Sequence, residues 1–274
     1  MKVIRWSSSS RSKGRRTLAR FEGKVVVVTG AAQGQGAAQA SRFRDEGATV
    51  VAADVASPPD AVPGIVNVHL DVTEFASWES LIAELVNRFG RLDVLVNNAG
   101  ISRGTDVRGT SIDDWNAVLS VDLTGAFLGM KACTPLMRDS GGGAIINTGS
   151  AIAFAGFYRA PYAAAKWGLR GLSKSAALEF APWGITVNAI HPGLVDSPMS
   201  TESPLYAAIR DTVPIGRATS IDEIASLVLF LASAEARTMT GGDYLVDGGI
   251  VAAGAMNHVA RTMGLWDLEP AVKL

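Results

Sequence analysis

The chain has 274 residues, 48% of them hydrophobic and 19% charged, with 29 glycines and a formal net charge of −1. This composition excludes intrinsic disorder, which needs low hydrophobicity and high net charge. The length suits one large α/β domain able to bury about three quarters of its unfolded surface. The single cysteine, Cys133, excludes an intramolecular disulfide and a cysteine zinc cluster. A reducing compartment, the cytoplasm, is the expected location.

The first 20 residues carry seven Lys or Arg and no acid. They are basic and Ser-rich, without the apolar stretch of a secretory signal. Residues 1–20 are therefore expected to form a disordered tail, with an organelle transit peptide as the other reading. The remainder is acidic, which argues against a nucleic-acid partner. No apolar run approaches the ~18 residues of a membrane span, so no membrane association is expected.

From Phe21 onward, apolar runs alternate with helical periods. The β-branched run at 24–29 predicts a buried strand ending at Gly30, followed by a helix over 36–46 that Gly47 closes. Strands are predicted over 49–53 and 65–70. Trp78, Leu81, Ile82, Leu85, Val86 and Phe89 form one helical stripe that stops at Gly90. Further strands are predicted over 92–96, 144–148, 185–190 and 244–246, and helices over 112–137, 162–181 and 221–234. The alternation predicts a single α/β domain over 21–250. Its core is a doubly wound parallel sheet of about seven strands, covered by helices on both faces. Residues 251–274 are left as a C-terminal extension. Its apolar residues, Met256, Val259, Met263, Leu265, Trp266 and Leu268, are expected to cover an active site or a subunit seam.

The first strand runs into Thr29-Gly30-Ala31-Ala32-Gln33-Gly34-Gln35-Gly36. Glycines between a strand and a helix let backbone approach a phosphate, and the helix N-terminus favours its charge. A methyltransferase has a similar first turn, so the loop alone leaves the ligand open. Asp54 ends the second strand, where an acid can accept hydrogen bonds from ribose hydroxyls and repel a 2′-phosphate. No cation stands at Gln33 or Val55 to offset it. Asp71 and Val72 end the third strand, where an adenine edge could sit. Asn97-Asn98-Ala99-Gly100 ends the fourth, where small residues and amides suit a cofactor crevice; an ordinary turn has the same composition. Tyr162 and Lys166 are four apart on a predicted helix and share a face. An ammonium beside a phenol stabilises the phenolate and yields a proton acceptor usable near neutral pH. Ser150 ends the fifth strand, placed to hydrogen-bond a substrate oxygen.

Taken together, these residues resemble the short-chain dehydrogenase/reductase family over about residues 21–250. The resemblance rests on TGAAQGQG at 29–36, Asp54, Asp71-Val72, NNAG at 97–100, Ser150, Tyr162-xxx-Lys166, Pro192-Gly193 and Asp247-Gly248-Gly249, all in the family's order and near its spacing. It implies a Rossmann-type fold, NAD as cofactor without a metal, a homotetramer, and hydride transfer to or from a small-molecule substrate. Tyr162 would be the general acid/base, Lys166 would hold the nicotinamide ribose and assist Tyr162, and Ser150 would orient the substrate oxygen. Gly30, Gln33, Gly34 and Gly36 would cradle the pyrophosphate. Asn98, Ala99, Gly100, Pro192, Gly193 and Val195 would line the nicotinamide side. Ser197 stands where the family usually has Thr and keeps the hydroxyl. Asp122 stands where the family has a catalytic Asn. Its backbone carbonyl can serve as the Asn carbonyl does, while its carboxylate adds a charge near Lys166 and Tyr162. The departure opens a second reading, a catalytically weak or inactive nucleotide-binding subunit of the same fold.

Other chemistries find less support. The stretch 148–152 lacks the second Gly of a GxSxG elbow. His69, His191 and His258 are scattered, without metal-ligand spacing, and His191 is read as structural. Ile152, Phe154, Phe157, Tyr158, Val195, Met199, Leu205, Tyr206 and Ile209 are the expected pocket. Their apolar character favours a hydrophobic secondary alcohol or ketone: cyclic, aryl, terpenoid or steroid-like. Arg103 and Arg159 are the nearby charges.

Overall fold

Four consecutive valines, Val25 to Val28, are buried on both faces. β-Branched side chains fit such a pleated, enclosed surface, and the strand they form lies at the middle of the sheet. In the computed structural model, which describes residues 19–58, 62–201 and 205–265, all seven strands are parallel. They are β1 (Val25–Thr29), β2 (Thr49–Asp54), β3 (Ile65–His69), β4 (Val94–Asn97), β5 (Gly143–Thr148), β6 (Ile185–Pro192) and β7 (Asp243–Val246). Their spatial order is β3-β2-β1-β4-β5-β6-β7. The order reverses between β1 and β4, and that switch point opens a crevice at the carboxyl ends of the strands.

The helices are α1 (Gly34–Asp45), α2 (Phe75–Phe89), α3 (Ile112–Leu119), α4 (Ala126–Asp139), α5 (Ala160–Phe180), α6 (Pro198–Thr201), α7 (Tyr206–Arg210), α8 (Ile221–Ala232) and α9 (Ile250–Thr262). Alternation along β1 sorts the core into two layers. Val26 and Val28 join Phe21, Phe43, Ile224 and Val228 on one face. Val25 and Val27 join Trp78, Leu81, Leu85, Met130 and Met137 on the other. This is the doubly wound architecture that the alternating pattern predicts.

Three sequence expectations need correction. The helix predicted over 112–137 is broken by a π-helical segment, Ser120–Gly125, between α3 and α4. Such a wide turn inserts one residue into the ladder, and hydrophobic periodicity does not register it. The run Ile112–Asp139 is also long and apolar enough to cross a membrane by length and composition, although 44% of its most apolar window is buried in the fold. Finally, Arg20 is tied to the folded body: its Nη2 donates to Glu46 Oε1 at 2.6 Å. The rest of the basic tail, through residue 18, lies outside the described residues, as do Trp266, Leu268 and the side chain of Met199. Much of the C-terminal extension forms α9. It buries Gly254, Asn257 and Ala260, and leaves Met256, Val259, Met263 and Leu265 exposed.

Asp93, just before β4, sits far along the sheet from the crevice, at the amino ends of the strands. Its buried carboxylate accepts two hydrogen bonds from Arg91 (2.8 and 2.6 Å), one from Lys24 (2.9 Å) and one from the Val25 N–H (3.0 Å). Burial alone would raise its pKa, but these donors outweigh burial and hold it below the ordinary carboxylate range. Its contribution to stability is therefore present above the unfolded pKa and lost as pH falls through the lower folded value. Asp93→Asn is expected to cost about 1.5–3 kcal/mol at neutral pH. Thermal melts should show a deficit that shrinks below about pH 4, with kcat unchanged.

Candidate active site

The glycine loop after β1 is shaped by steric necessity. Gly30 has φ +64°, and a Cβ there would lie 2.8 Å from Ala99 Cα. A Cβ on Gly36 would lie 2.2 Å from the Gly30 carbonyl oxygen. Gly34 (φ +59°) instead faces open space. Gln33, the residue before α1, makes no side-chain cap, so the first N–H groups of the helix remain available to an anion. Gln35 Oε1 is buried at the same turn without a protein partner. This bare backbone and uncapped helix fit the pyrophosphate of a dinucleotide.

Thr29 stitches the glycine loop to the loop after β4. Its Oγ1 donates to the Val96 carbonyl at 3.3 Å and accepts the N–H groups of Asn98 and Ala99, each at 3.0 Å. Asn98 Nδ2 returns two bonds, to the carbonyls of Thr29 (3.0 Å) and Gly30 (3.2 Å). The two sides of the crevice are thus one hydrogen-bonded unit. Thr29 opens the TGAAQGQG motif, but its role in tying the two loops together has no signal in the linear order.

Asp54 stands at the end of β2, beside His69 of β3. Its oxygens accept the N–H groups of Ala32 (2.9 Å) and Ala56 (3.0 Å), which fixes the carboxylate at the rim of a cavity of about 100 Å³. Val55 is exposed. Asp71 and Val72 are engaged in starting α2. The Thr73 hydroxyl (2.7 Å) and N–H (2.9 Å) donate to Asp71 and hold its pKa below the ordinary value. The Val72 carbonyl accepts the Trp78 indole N–H at 3.1 Å.

Ser150 follows β5 and is 8% exposed; its Oγ accepts the Ile152 N–H at 3.3 Å and so caps the 3-10 turn Ala151–Phe154. Tyr162 and Lys166 lie on the first turns of α5, which Pro161 helps to start. The Lys166 ammonium is buried, donates to the Thr148 carbonyl at 3.0 Å, and lies 5.5 Å from the centre of the Tyr162 ring. Asp122 Oδ2 sits 3.1 Å from Lys166 Nζ, and Asp122 Oδ1 accepts the Ile101 N–H at 2.7 Å. The residue that departs from the family pattern is therefore an ion-pair partner of the lysine and an anchor for the loop after β4. Burial would lower the Lys166 pKa, but Asp122 and Tyr162 outweigh burial and raise it above the ordinary lysine value.

The turn after β6 closes the crevice. Gly193 donates its N–H to the Val246 carbonyl at 3.0 Å, and a Cβ there would lie 2.7 Å from Asp247 Cα. Val195 is buried and bridges to Thr219, and Ser197 Oγ donates to Ser200 Oγ at 3.1 Å. Of the expected pocket residues, Phe157 packs against Tyr162, with ring centres 6.3 Å apart. Phe154 is partly buried and packs against β6 and α5. Its ring meets His191 edge-on at 4.8 Å and lies under the Arg170 guanidinium at 4.0 Å, so it serves packing behind Ser150. Arg159 is held by Ser102 at 2.9 Å. Among the described residues no group of three or more His, Cys, Asp or Glu could hold a metal.

The family model for enoyl-(acyl carrier protein) reductase matches residues 30–251. The chain is 41% identical over 256 residues to the trans-4-hydroxycyclohexanecarboxylate dehydrogenase of Sinomonas cyclohexanicum, covering 86% of this chain and 96% of the relative. It is 42% identical over 245 residues to the 3-alpha-(or 20-beta)-hydroxysteroid dehydrogenase of Mycobacterium tuberculosis, covering 87% and 93% respectively. The ligand-free aldohexose dehydrogenase of Thermoplasma acidophilum matches in three dimensions with a TM-score of 0.79 and 32% identity, covering 85% of this chain and 96% of that one. Identity of this order along nearly the whole of each relative goes beyond a common fold: the chain belongs to the short-chain dehydrogenase/reductase family of oxidoreductases, whose dehydrogenases use nicotinamide cofactors.

Proposed function

We propose that this chain is an NAD(H)-dependent dehydrogenase that interconverts a hydrophobic, ring-bearing secondary alcohol and its ketone. The observation that carries the reading is the buried Lys166 ammonium, fixed between the Thr148 carbonyl and Asp122 and set beside the Tyr162 ring. A buried, charge-balanced lysine next to a phenol is a device for holding negative charge on the phenol oxygen. It also supports an active enzyme over an inactive nucleotide-binding subunit. The names of the relatives support a ring alcohol as substrate, and Phe157 beside Tyr162 supports an apolar one.

When bound, the nicotinamide supplies the acceptor or donor of a hydride. The N-terminus of α1 and the glycine loop would hold its pyrophosphate, and Asp54 its adenosine ribose. Gly100, Gly193, Val195 and Ser197 would line the nicotinamide side. The chain's own residues handle the proton. Ser150 Oγ orients the substrate oxygen, Tyr162 takes the hydroxyl proton during oxidation, and the Lys166 ammonium stabilises the negative oxygen left on Tyr162. In ketone reduction Tyr162 gives the proton back. We infer further a cytoplasmic homotetramer with no nucleic-acid or membrane partner. The exposed Phe127, Trp167 and Leu178 on α4 and α5 support self-association, and the buried free Cys133 suits a reducing compartment.

Three measurements test this reading. The wild type is expected to show higher kcat/KM with NAD(H) than with NADP(H), and Asp54→Ala with Val55→Arg should narrow or reverse the preference; a wild-type preference for NADP(H) refutes the Asp54 assignment. Tyr162→Phe should lose at least ~100-fold in kcat while the cofactor dissociation constant stays near the wild-type value; substantial remaining turnover refutes the proton path. Alcohol oxidation should run best at alkaline pH, because the Asp122 carboxylate offsets the field of Lys166. Asp122→Asn should move the pKa of the pH–rate profile down by about one unit with kcat at its optimum changed less than about tenfold. An unmoved or raised pKa refutes the electrostatic role.

A further inference from the structure

The backbone of Ser150 has a connection that the chemistry above does not use. His191, on β6, is fully buried, with Nδ1 3.1 Å from the Ser150 carbonyl oxygen and Nε2 3.0 Å from Asp243 Oδ1. Asp243, at the start of β7, accepts on its other oxygen Arg170 Nε at 2.9 Å and Lys174 Nζ at 2.6 Å. Tyr162, Lys166, Arg170 and Lys174 follow at intervals of four along α5 and share one face of that helix. The contacts therefore begin on the face that carries the acid/base pair and end at the residue that orients substrate. Packing closes the same circuit. A Cβ on Gly149 would lie 2.4 Å from His191 Nδ1, so only glycine lets the ring approach. Arg170 also donates to the Ala153 carbonyl at 3.3 Å, in the turn that Ser150 caps.

We propose that His191 is a positioning residue for Ser150: its Nδ1–H fixes the Ser150 backbone, and Asp243 fixes the ring against α5. The proposal rests on the reading of Ser150 as the group that orients the substrate oxygen. Both neighbours of the ring are acceptors, so both contacts are hydrogen bonds only while the ring carries two protons. The charged groups around it are Asp243 from β7 and Arg170 and Lys174 from α5; the 151–154 turn presents the phenyl ring of Phe154. Burial disfavours the charged ring and outweighs the support from Asp243, so its pKa lies below the ordinary imidazole value. Once the ring is neutral, the carboxylate keeps the remaining proton as the stronger acceptor, and the Ser150 contact is released. Positioning is tightest on the acid side.

Two substitutions separate positioning from packing. An asparagine amide nitrogen falls near the place of Nδ1, and a glutamine amide nitrogen near that of Nε2. His191→Asn thus keeps a donor for Ser150, and His191→Gln keeps one for Asp243. Both are assayed in oxidation and reduction across the pH range, in wild-type and Ser150→Ala backgrounds. The probe is a ring alcohol and its ketone, chosen from cyclohexanols and hydroxysteroids that the wild type turns over. Cofactor dissociation constants and melting temperatures are measured alongside. His191→Gln is expected to lose about tenfold in kcat at the acid end and to converge with the wild type as pH rises, while His191→Asn stays within about threefold throughout. Cofactor affinity should not change, and in the Ser150→Ala background the two variants should differ by less than about twofold. Equal losses in both variants, or an undiminished loss in the Ser150→Ala background, overturn the proposal. If His191→Gln does not fold, Asp243→Asn is expected to lower kcat on the acid side in the same way, and an unaltered pH profile for it overturns the proposal. Undiminished kcat in Ser150→Ala alone overturns instead the role given to Ser150.

Discussion

An ammonium removed from water must be repaid by partners, or the chain ionises differently or unfolds. Lys166 is in that position, and much of the local architecture exists to satisfy it. Its carbonyl partner, Thr148, requires β5 to end where it does. Its carboxylate partner, Asp122, sits in the π segment between α3 and α4. The close approach of α5 to that segment depends on Gly168, where a Cβ would lie 2.9 Å from the Leu123 side chain. Gly125 and Gly129 make similar concessions to Val72 and Trp78. These three glycines thus serve packing within the chain. The same lysine stands beside Tyr162, so fold stability and the proposed proton chemistry share one charge.

The parts of the molecule legible in the sequence were those with a strong local signal. The valine run of β1 and the apolar stripe of α2, stopped by Gly90 in a left-handed conformation, announce themselves in linear order. The glycine loop, Ser150, Tyr162 and Lys166 were legible because their spacing matches a family pattern. The structure brings Tyr162, Lys166 and Asp122 together and packs Phe154 against Arg170 and His191. What escaped the sequence depends on long-range pairing. Nothing local in Asp243 shows that it will meet Arg170 and Lys174, some 70 residues earlier. A π segment costs no change in composition. Asp71 and Val72 read as cofactor residues in a string, and only the fold shows that Asp71 Oδ1 and the Val72 carbonyl also bond to Thr73 and Trp78 at the start of α2.

The two ends of the sheet divide the labour. At the amino ends, Asp93 gathers Lys24, Arg91 and the Val25 amide into a buried cluster. At the carboxyl ends, loops built of Gly, Ala, Asn and Ser leave backbone exposed to a ligand. Polar groups there are satisfied within the chain wherever bonds are needed for shape, and left open where a ligand can use them.

The Thr29 and Asn98 stitches have a thermodynamic corollary. Because Thr29 and Asn98 bond the glycine loop and the loop after β4 to each other, and Thr29 also bonds to β4 itself, the entropy of ordering them is spent during folding. A dinucleotide entering the crevice meets walls already set, and its affinity is not taxed by loop closure. Association should then be fast and simple in its kinetics, and the heat-capacity change on binding should reflect the apolar surface covered by the ligand, with no added contribution from coupled folding.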